Sequence, residues 1–524
     1  MDGLVASGVR HFFTSPGFRN SPILAVLAGR PGVVSHIDER GAAFAALGAA
    51  KATGSPVAVI CTSGTAVGNL LPAVMEAFHS RVPLVAVSAD RPSELIGVGA
   101  NQATWQPGIF GRFAESVDLS VPDRAAEARQ WGDRAAVAVN MAKSARFPIH
   151  LNARFREPFT FTAMEMEERS ALFAAPEPAR ELPTDGGGIS PDLSRAVVLL
   201  GDGVKKEERQ WLCRFCREKN VPLLSNTYVA ADLEAEILRA DLFLRSESIR
   251  RSLRAKTVIR VGAPLIGRSY SALWKGADHR VVVDEEGRDP DLTVKSVYRG
   301  GVRDFLGQRN SSADPAWRDA WIEAESFAEK AVEDGLRREP ALTEWRVWRD
   351  LSWIPAEADL FVGNSMPIRD FLWVGLGRRG ALTNRGLSGI DGLISTAIGA
   401  SLGSGKRIVA VLGDLSTIHD TSALTLGRNT KAPVVLVVLN NGGGEIFRVV
   451  EAAEYPVDEA VFTTPNQVDF VGLATAFGWS AVKVQSMDGL REAVAAATGP
   501  ALVEVSIDRE RSTALRRAVW ESLR

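Results

Sequence analysis

The stretch RIVAVLGDLSTIHDTSALTLGRNTKAPVVLVVLNNGGG, Arg407 to Gly444, decides the architecture. Its two apolar runs, Arg407–Leu412 and Pro433–Leu439, have strand length and no polar face. Such strands are buried on both sides, as in a parallel sheet covered by helices. The segment between them is long enough for one helical crossover. The first run delivers Gly413-Asp414-Leu415-Ser416 and the second Asn440-Asn441-Gly442-Gly443-Gly444. Both turns therefore fall at strand carboxyl ends, where ligands bind in such sheets. A carboxylate, an amide oxygen and a glycine-turn carbonyl are hard oxygen donors suited to Mg²⁺, which shares its octahedron with phosphate oxygens. Glycines let backbone N–H groups approach a phosphate. Gly-Asp and Asn-Gly are each common turn pairs; the ordered pair across one crossover is the specific feature.

The same alternation extends outward. Upstream, Val9–Thr14, Val57–Thr62 and Leu84–Ser88 read as strands, with Gly41–Lys51 and Val67–Phe78 helical between them. Strand, helix, strand at this spacing predicts βαβ units and a parallel sheet. Pro176–Pro191 breaks the periodicity and reads as a linker. A middle unit follows with strands at Ala196–Gly201, Val221–Ser225, Thr257–Val261 and Arg280–Asp284. Charged, Trp-rich helical sequence fills Ala316–Leu351, and Ala358–Gly363 and Ala501–Ile507 bracket the strands of the last unit. The chain thus divides into residues 1–175, 190–340 and 345–524, an α/β protein of three doubly wound parallel-sheet domains.

The 524 residues carry a formal net charge of -2, with 46% apolar and 24% charged residues. That balance argues against a bulk nucleic-acid binder or a polybasic membrane binder. Cys61, Cys213 and Cys216 are too few and too odd in number for a disulfide framework and fit a reducing compartment. Cys213 and Cys216 lie three apart on a helical stretch with no second pair, so they read as partly buried helix residues rather than a zinc site. No apolar run is long enough to span a bilayer, and Met1-Asp2-Gly3-Leu4 does not open a signal peptide. The expected location is cytoplasmic, with no nucleic acid and no membrane insertion.

The Gly413–Gly444 pattern resembles the diphosphate-binding motif of thiamine diphosphate enzymes. Asp38-Glu39-Arg40-Gly41-Ala42-Ala43, with Thr62-Ser63-Gly64-Thr65-Ala66 one βα unit later, matches the segment carrying that family's activating glutamate. Read from the residues alone, Asp38 and Glu39 equally suit a helix N-terminus. Further strings resemble the succinyl-enolpyruvyl-hydroxycyclohexene-carboxylate synthases of menaquinone biosynthesis: Ser15–Pro22, Ala89–Pro92, Gly99–Gln102, Asn364–Asp370 and Asn384–Gly392. The resemblance covers almost the whole chain and is strongest over residues 9–115 and 358–447.

The resemblance implies a thiamine diphosphate-binding fold and the cofactors thiamine diphosphate and Mg²⁺ (or Mn²⁺). It implies Asp414, Asn441 and the Gly443 carbonyl as metal ligands. Glu39 would hold the aminopyrimidine ring. Ser388, Ile390, Gly413, Leu415, Ser416, Gly444, Ile446 and Phe447 would complete the cofactor site, with Ile390 as the apolar prop beneath it. The substrates implied are 2-oxoglutarate and isochorismate, both dicarboxylates. Arg19, Arg91, Arg268, Arg369 and Arg385, with Gln102 and Ser365, would bind them, since guanidinium pairs bidentately with carboxylate. A homodimer or homotetramer is expected, because the family draws the glutamate and the diphosphate site from different subunits. Three features depart from the pattern: Phe18 where a serine is usual, Glu445 where a neutral residue is usual, and a start that falls inside the expected first helix. Another thiamine diphosphate-dependent 2-oxoacid decarboxylase or carboligase, which would not need this arginine set, and a non-catalytic binder on the same fold are the alternatives.

Overall fold

A computed structural model describes residues 1–121, 125–157, 191–226, 228–229, 233, 237–284, 296–307, 311–375, 379–449 and 459–524. Apart from Pro191, the expected linker Pro176–Pro191 lies outside them.

Three wholly parallel sheets organise these residues. The first holds β1 (Phe12–Thr14), β2 (Val33–Ser35), β3 (Val57–Cys61), β4 (Leu84–Asp90), β5 (Glu115–Leu119) and β6 (Ile149–Arg154), in the order β2-β1-β3-β4-β6-β5. The central sheet holds β7 (Ala196–Leu200), β8 (Leu223–Ser225), β9 (Thr257–Val261), β10 (His279–Val283) and β11 (Ser296–Tyr298), in the order β11-β10-β9-β7-β8. The third holds β12 (Asp359–Val362), β13 (Ala381–Leu382), β14 (Ile408–Gly413), β15 (Val434–Asn440), β16 (Ser480–Val484) and β17 (Ala501–Ser506), in the order β13-β12-β14-β15-β17-β16. Counted from its own first strand, the third sheet repeats the order of the first, a kinship invisible in one sequence. β14 and β15 are buried along almost their whole length, as their apolar runs require.

Two helical expectations are refined. Val67–Phe78 is two helices, Thr65–Asn69 and Leu71–His79, the second restarting with Pro72 in its first turn, where a missing N–H costs nothing. The Ala316–Leu351 stretch falls on two helices, Pro315–Arg338 and Glu344–Arg349, separated around Pro340, which disfavours helix at Glu339. Cys213 and Cys216 are buried on the Lys206–Glu218 helix. Burial pushes the Cys216 thiol up, away from the reactive thiolate. Among the described residues no group of His, Cys, Asp and Glu is clustered to hold a metal by itself, and no helix is long and apolar enough to cross a membrane.

The first and third sheets share one core through the helices Glu39–Thr53 and Leu393–Ser404. Small residues bring the two backbones together. A Cβ on Gly48 would stand 2.0 Å from the Thr396 carbonyl oxygen, and one on Gly399 would stand 1.9 Å from that of Ala45. Gly41 meets Ser395, Ala45 meets Gly399 and Ala49 meets Gly403, so the helices run the same way and present their N-termini together.

Candidate active site

Parallel register carries the third-sheet site. Gly413 pairs with Leu439 across β14 and β15, so Asp414 emerges beside Asn440 and Asn441. Asp414 opens the helix Asp414–His419 and is 2% exposed. One of its oxygens accepts from the Leu415 N–H at 2.7 Å and the other from Asn466 Nδ2 at 3.0 Å. Burial raises its carboxyl above the ordinary value, opposed by Asn466 and by the backbone N–H groups of Leu415, Gly443 and Gly442. Gly442 and Gly443 have φ of +81° and +150°. A Cβ on Gly443 would lie 2.6 Å from the Thr463 carbonyl oxygen, which accepts from the Gly444 N–H at 2.7 Å. Asn441 donates from Nδ2 to Glu344 at 3.0 Å, while its Oδ1 is buried with no partner among the described residues. Ser416 turns its hydroxyl back to the Gly413 carbonyl. After the glycines, Phe447 packs edge-on against Phe462, and Ile446 leans on the core shared by the central and third sheets.

The first sheet supplies Glu39. Asp38 caps the helix, its carboxylate accepting from the N–H groups of Arg40 and Gly41. That leaves the Glu39 carboxylate free of capping, and it accepts from Asn69 Nδ2 at 3.2 Å. Arg40 donates to the His419 carbonyl at 3.0 Å and Ser422 donates to Asp38 at 2.7 Å. Within one chain, Arg40 thus meets the Asp414–His419 helix at the end opposite to Asp414.

The arginines form two groups. Arg19 and Arg91, both buried, follow β1 and β4. Arg19 reaches Glu157 at 2.7 Å; Arg91 bonds the Ser63 hydroxyl, and Gln102 donates to the Ser63 carbonyl at 2.8 Å. Burial, then the neighbouring Arg19, lowers the Arg91 pKa. The second group follows β12 and β13: Arg369 donates to the Ser365 carbonyl at 2.6 Å, and Arg385 donates to Asn364 at 3.0 Å while its buried Nε has no partner among the described residues. Burial and then Arg385 lower the Arg369 pKa. Arg268 is exposed at the start of the Arg268–Gly276 helix, after β9 of the central sheet. Gln102, Ser365 and Ser388 all have positive φ, +57°, +68° and +63°. Such backbone costs about 1–3 kcal/mol for each non-glycine residue and concentrates at ligand sites. Ile390 is 37% exposed. Glu445 is buried against the C-terminal helix, accepting from Thr513 at 3.2 Å with Arg448 and Arg509 at 3.7 and 3.8 Å, so its charge is met by partners.

Sequence reading missed several supports. Glu76, 4% exposed, accepts from Lys51 (3.2 Å), Ser80 (2.6 Å) and the Gly386 and Leu387 N–H groups (2.9 and 2.7 Å). Lys51 also donates to the Thr383 carbonyl and Asn384 Oδ1. This buried pair of the first sheet's helices grips the loop carrying Arg385, Ser388 and Ile390. Asn466 and Glu344 were missed as well. None of these follows an apolar run or sits in a glycine turn, so no local signal marks them.

Residues 1–109 match the family model of the thiamine pyrophosphate enzyme N-terminal TPP binding domain, and residues 364–505 that of the C-terminal TPP binding domain. The chain is 34% identical to the 2-succinyl-5-enolpyruvyl-6-hydroxy-3-cyclohexene-1-carboxylate synthase of Chloroflexus aurantiacus, over 99% of this chain and 94% of that one. It is 34% identical to the protein of the same name from Geobacillus kaustophilus, over 100% and 96%. With that from an Arthrobacter species it shares 36%, over 97% and 88%. The chain belongs to the 2-succinyl-5-enolpyruvyl-6-hydroxy-3-cyclohexene-1-carboxylate synthase family.

A synthase of this family uses thiamine diphosphate, and the residues present fit that group with a divalent cation. Among the described residues the buried Asn441 Oδ1 lacks a partner beside the buried Asp414 carboxylate, and the Cβ position of Gly442 faces open space. Both oxygens are hard donors of the kind Mg²⁺ takes alongside phosphate.

Proposed function

We propose that the chain joins 2-oxoglutarate, with loss of CO2, to isochorismate by conjugate addition, giving 2-succinyl-5-enolpyruvyl-6-hydroxy-3-cyclohexene-1-carboxylate. The observation that carries this is full-length similarity to synthases of that name combined with two arginine groups at strand carboxyl ends. When bound, thiamine diphosphate supplies the carbon nucleophile and the electron sink. Asp414, Asn441 Oδ1 and the Gly443 carbonyl hold Mg²⁺ or Mn²⁺, and Gly413, Leu415, Ser416 and Gly444 line the diphosphate. Glu39 holds the proton at the pyrimidine ring nitrogen. Ser388, Ile390, Ile446 and Phe447 wall the rings, with Ile390 as prop. Arg19, Arg91 and Gln102 on one side, and Ser365, Arg369, Arg385 and Arg268 on the other, neutralise and orient the substrate carboxylates. That orientation turns a two-substrate encounter into an intramolecular step.

A homodimer or homotetramer completes this reading. Phe18, Ile37 and Trp105 are 72%, 75% and 73% exposed on loops at the carboxyl edge of the first sheet. Exposed apolar side chains grouped beside a site suit coverage by a second copy. Phe18 in place of a small hydroxyl residue then serves contact rather than hydrogen bonding.

The test combines protein, thiamine diphosphate, Mg²⁺, 2-oxoglutarate and isochorismate, follows isochorismate loss and identifies the adduct by mass. Adduct that needs every component supports the reading. CO2 without adduct replaces it with a simple decarboxylase, and cofactor binding without any reaction replaces it with a binder.

A further inference from the structure

Glu344 stands outside every motif of the cofactor site, yet it touches it. It opens the short helix Glu344–Arg349 and is 1% exposed. A carboxylate only accepts hydrogen bonds, so its 3.0 Å contact with Asn441 fixes which end of that amide faces it: the NH2. Oδ1 must then point the other way, where it is buried and has no partner among the described residues. Glu344 is itself held from behind. Arg516, on the C-terminal helix Arg509–Ser522 and 1% exposed, approaches the second Glu344 oxygen at 3.2 Å. Arg516 also makes two bonds to Asp370, at 3.1 and 2.8 Å, and Asp370 accepts from the Trp345 indole at 2.8 Å. Arg516 and Asn441 thus face different oxygens of the one carboxylate.

We propose that Glu344 is a positioning residue of the metal site, locking the Asn441 amide with Oδ1 toward the cation, and that Arg516 holds Glu344 in place. This rests on the reading of Asn441 as a metal ligand. It also gives the C-terminal helix a part in metal binding, through two side chains and no contact with the ion.

The experiment titrates Mg²⁺ into the full chain in the presence of a fixed concentration of thiamine diphosphate, by calorimetry, for the parent, Glu344→Gln and Asn441→Ala, with metal-free melting temperatures recorded alongside. A carboxamide can donate as well as accept, so Glu344→Gln frees the Asn441 amide to turn. Partners that orient a metal ligand typically carry roughly 10- to 100-fold in affinity, and a loss of that size is expected. Unchanged affinity in Asn441→Ala removes the metal-site reading itself, and the proposal with it. Impaired Asn441→Ala beside parent-like affinity in Glu344→Gln overturns the proposal alone, as does a lowered metal-free melting temperature without any loss of Mg²⁺ affinity. If Glu344→Gln fails to fold, Glu344→Asp carries the test. It keeps charge for Arg516 but withdraws the oxygen from Nδ2, and parent-like Mg²⁺ affinity there is equally fatal.

Discussion

Glu76→Gln is the most informative substitution outside the cofactor site. Burial alone would raise the Glu76 carboxyl; Lys51, Ser80 and the two backbone N–H groups outweigh it and hold it below its ordinary value. The group is therefore ionised at neutral pH inside the protein. One oxygen serves Lys51, Ser80 and Gly386; the other serves Leu387. A carboxamide must turn its NH2 toward one of these sets, so at least one N–H faces another. An unmet buried donor costs about 1–3 kcal/mol. Removing one charge of a buried pair brings the total to about 3–5 kcal/mol. The strain falls on residues 383–390, so the assay is hydrogen exchange read on peptides covering that loop. At about 1.4 kcal/mol per tenfold, a 3 kcal/mol loss speeds loop exchange by about 100-fold. Peptides of β14 should stay protected. In steady state the Michaelis constant for isochorismate should rise more than the turnover number falls, since Arg385 loses its mooring. A folded variant whose loop exchanges at the parental rate would refute the clamp.

Other outcomes follow from the same geometry. Glu39→Gln should bind thiamine diphosphate nearly normally but lose about 100- to 10,000-fold in turnover, the range for a positioned proton-handling group; full activity would unseat Glu39. Asp414→Ala should abolish metal-dependent cofactor binding, and calorimetry showing parental affinity would mean the cation sits elsewhere. Burial pushes the Asp420 carboxyl up to about 7. A group raised in the folded state stabilises fully below its unfolded value of 3.8 and loses that contribution as pH rises toward about 7. The parent's melting temperature should therefore decline relative to Asp420→Asn between pH 5 and 7.5, and parallel profiles would contradict this. Gly443→Ala, at φ +150° and against the Thr463 carbonyl, should lower the melting temperature and loosen cofactor binding together; a neutral result would mean that the turn can shift.

The sequence made the buried strands and their carboxyl-end turns legible because both are local. β14 and β15 are unbroken apolar runs, and Asp414 and Asn441 follow them directly. Two edge strands escaped. β5 and β16 mix exposed polar residues with few buried ones, so neither continuous apolarity nor clean alternation marks them. β6 escaped for the opposite reason: it is wholly buried, yet carries His150, Asn152 and Arg154, paired with Ser88, Asp90 and Asp118. Those pairings join positions far apart in the chain. The same limit hid Glu344, Asn466 and the Lys51–Glu76 clamp. Positive φ at Gln102, Ser365 and Ser388 is equally silent in residue identity, since glycine would be the ordinary choice there.

The glycine seam between the helices Glu39–Thr53 and Leu393–Ser404 works as a fixed gauge. Where side chains meet, a rotamer change can absorb a small displacement; where carbonyl meets Cα, nothing can yield. The spacing between the end that bears Glu39 and the loop that bears Ile390 is then set by bond lengths and van der Waals radii. Adaptation to different partners must accordingly be confined to the loops above the seam, while one methyl group added at Gly48 or Gly399 would miscalibrate both halves at once.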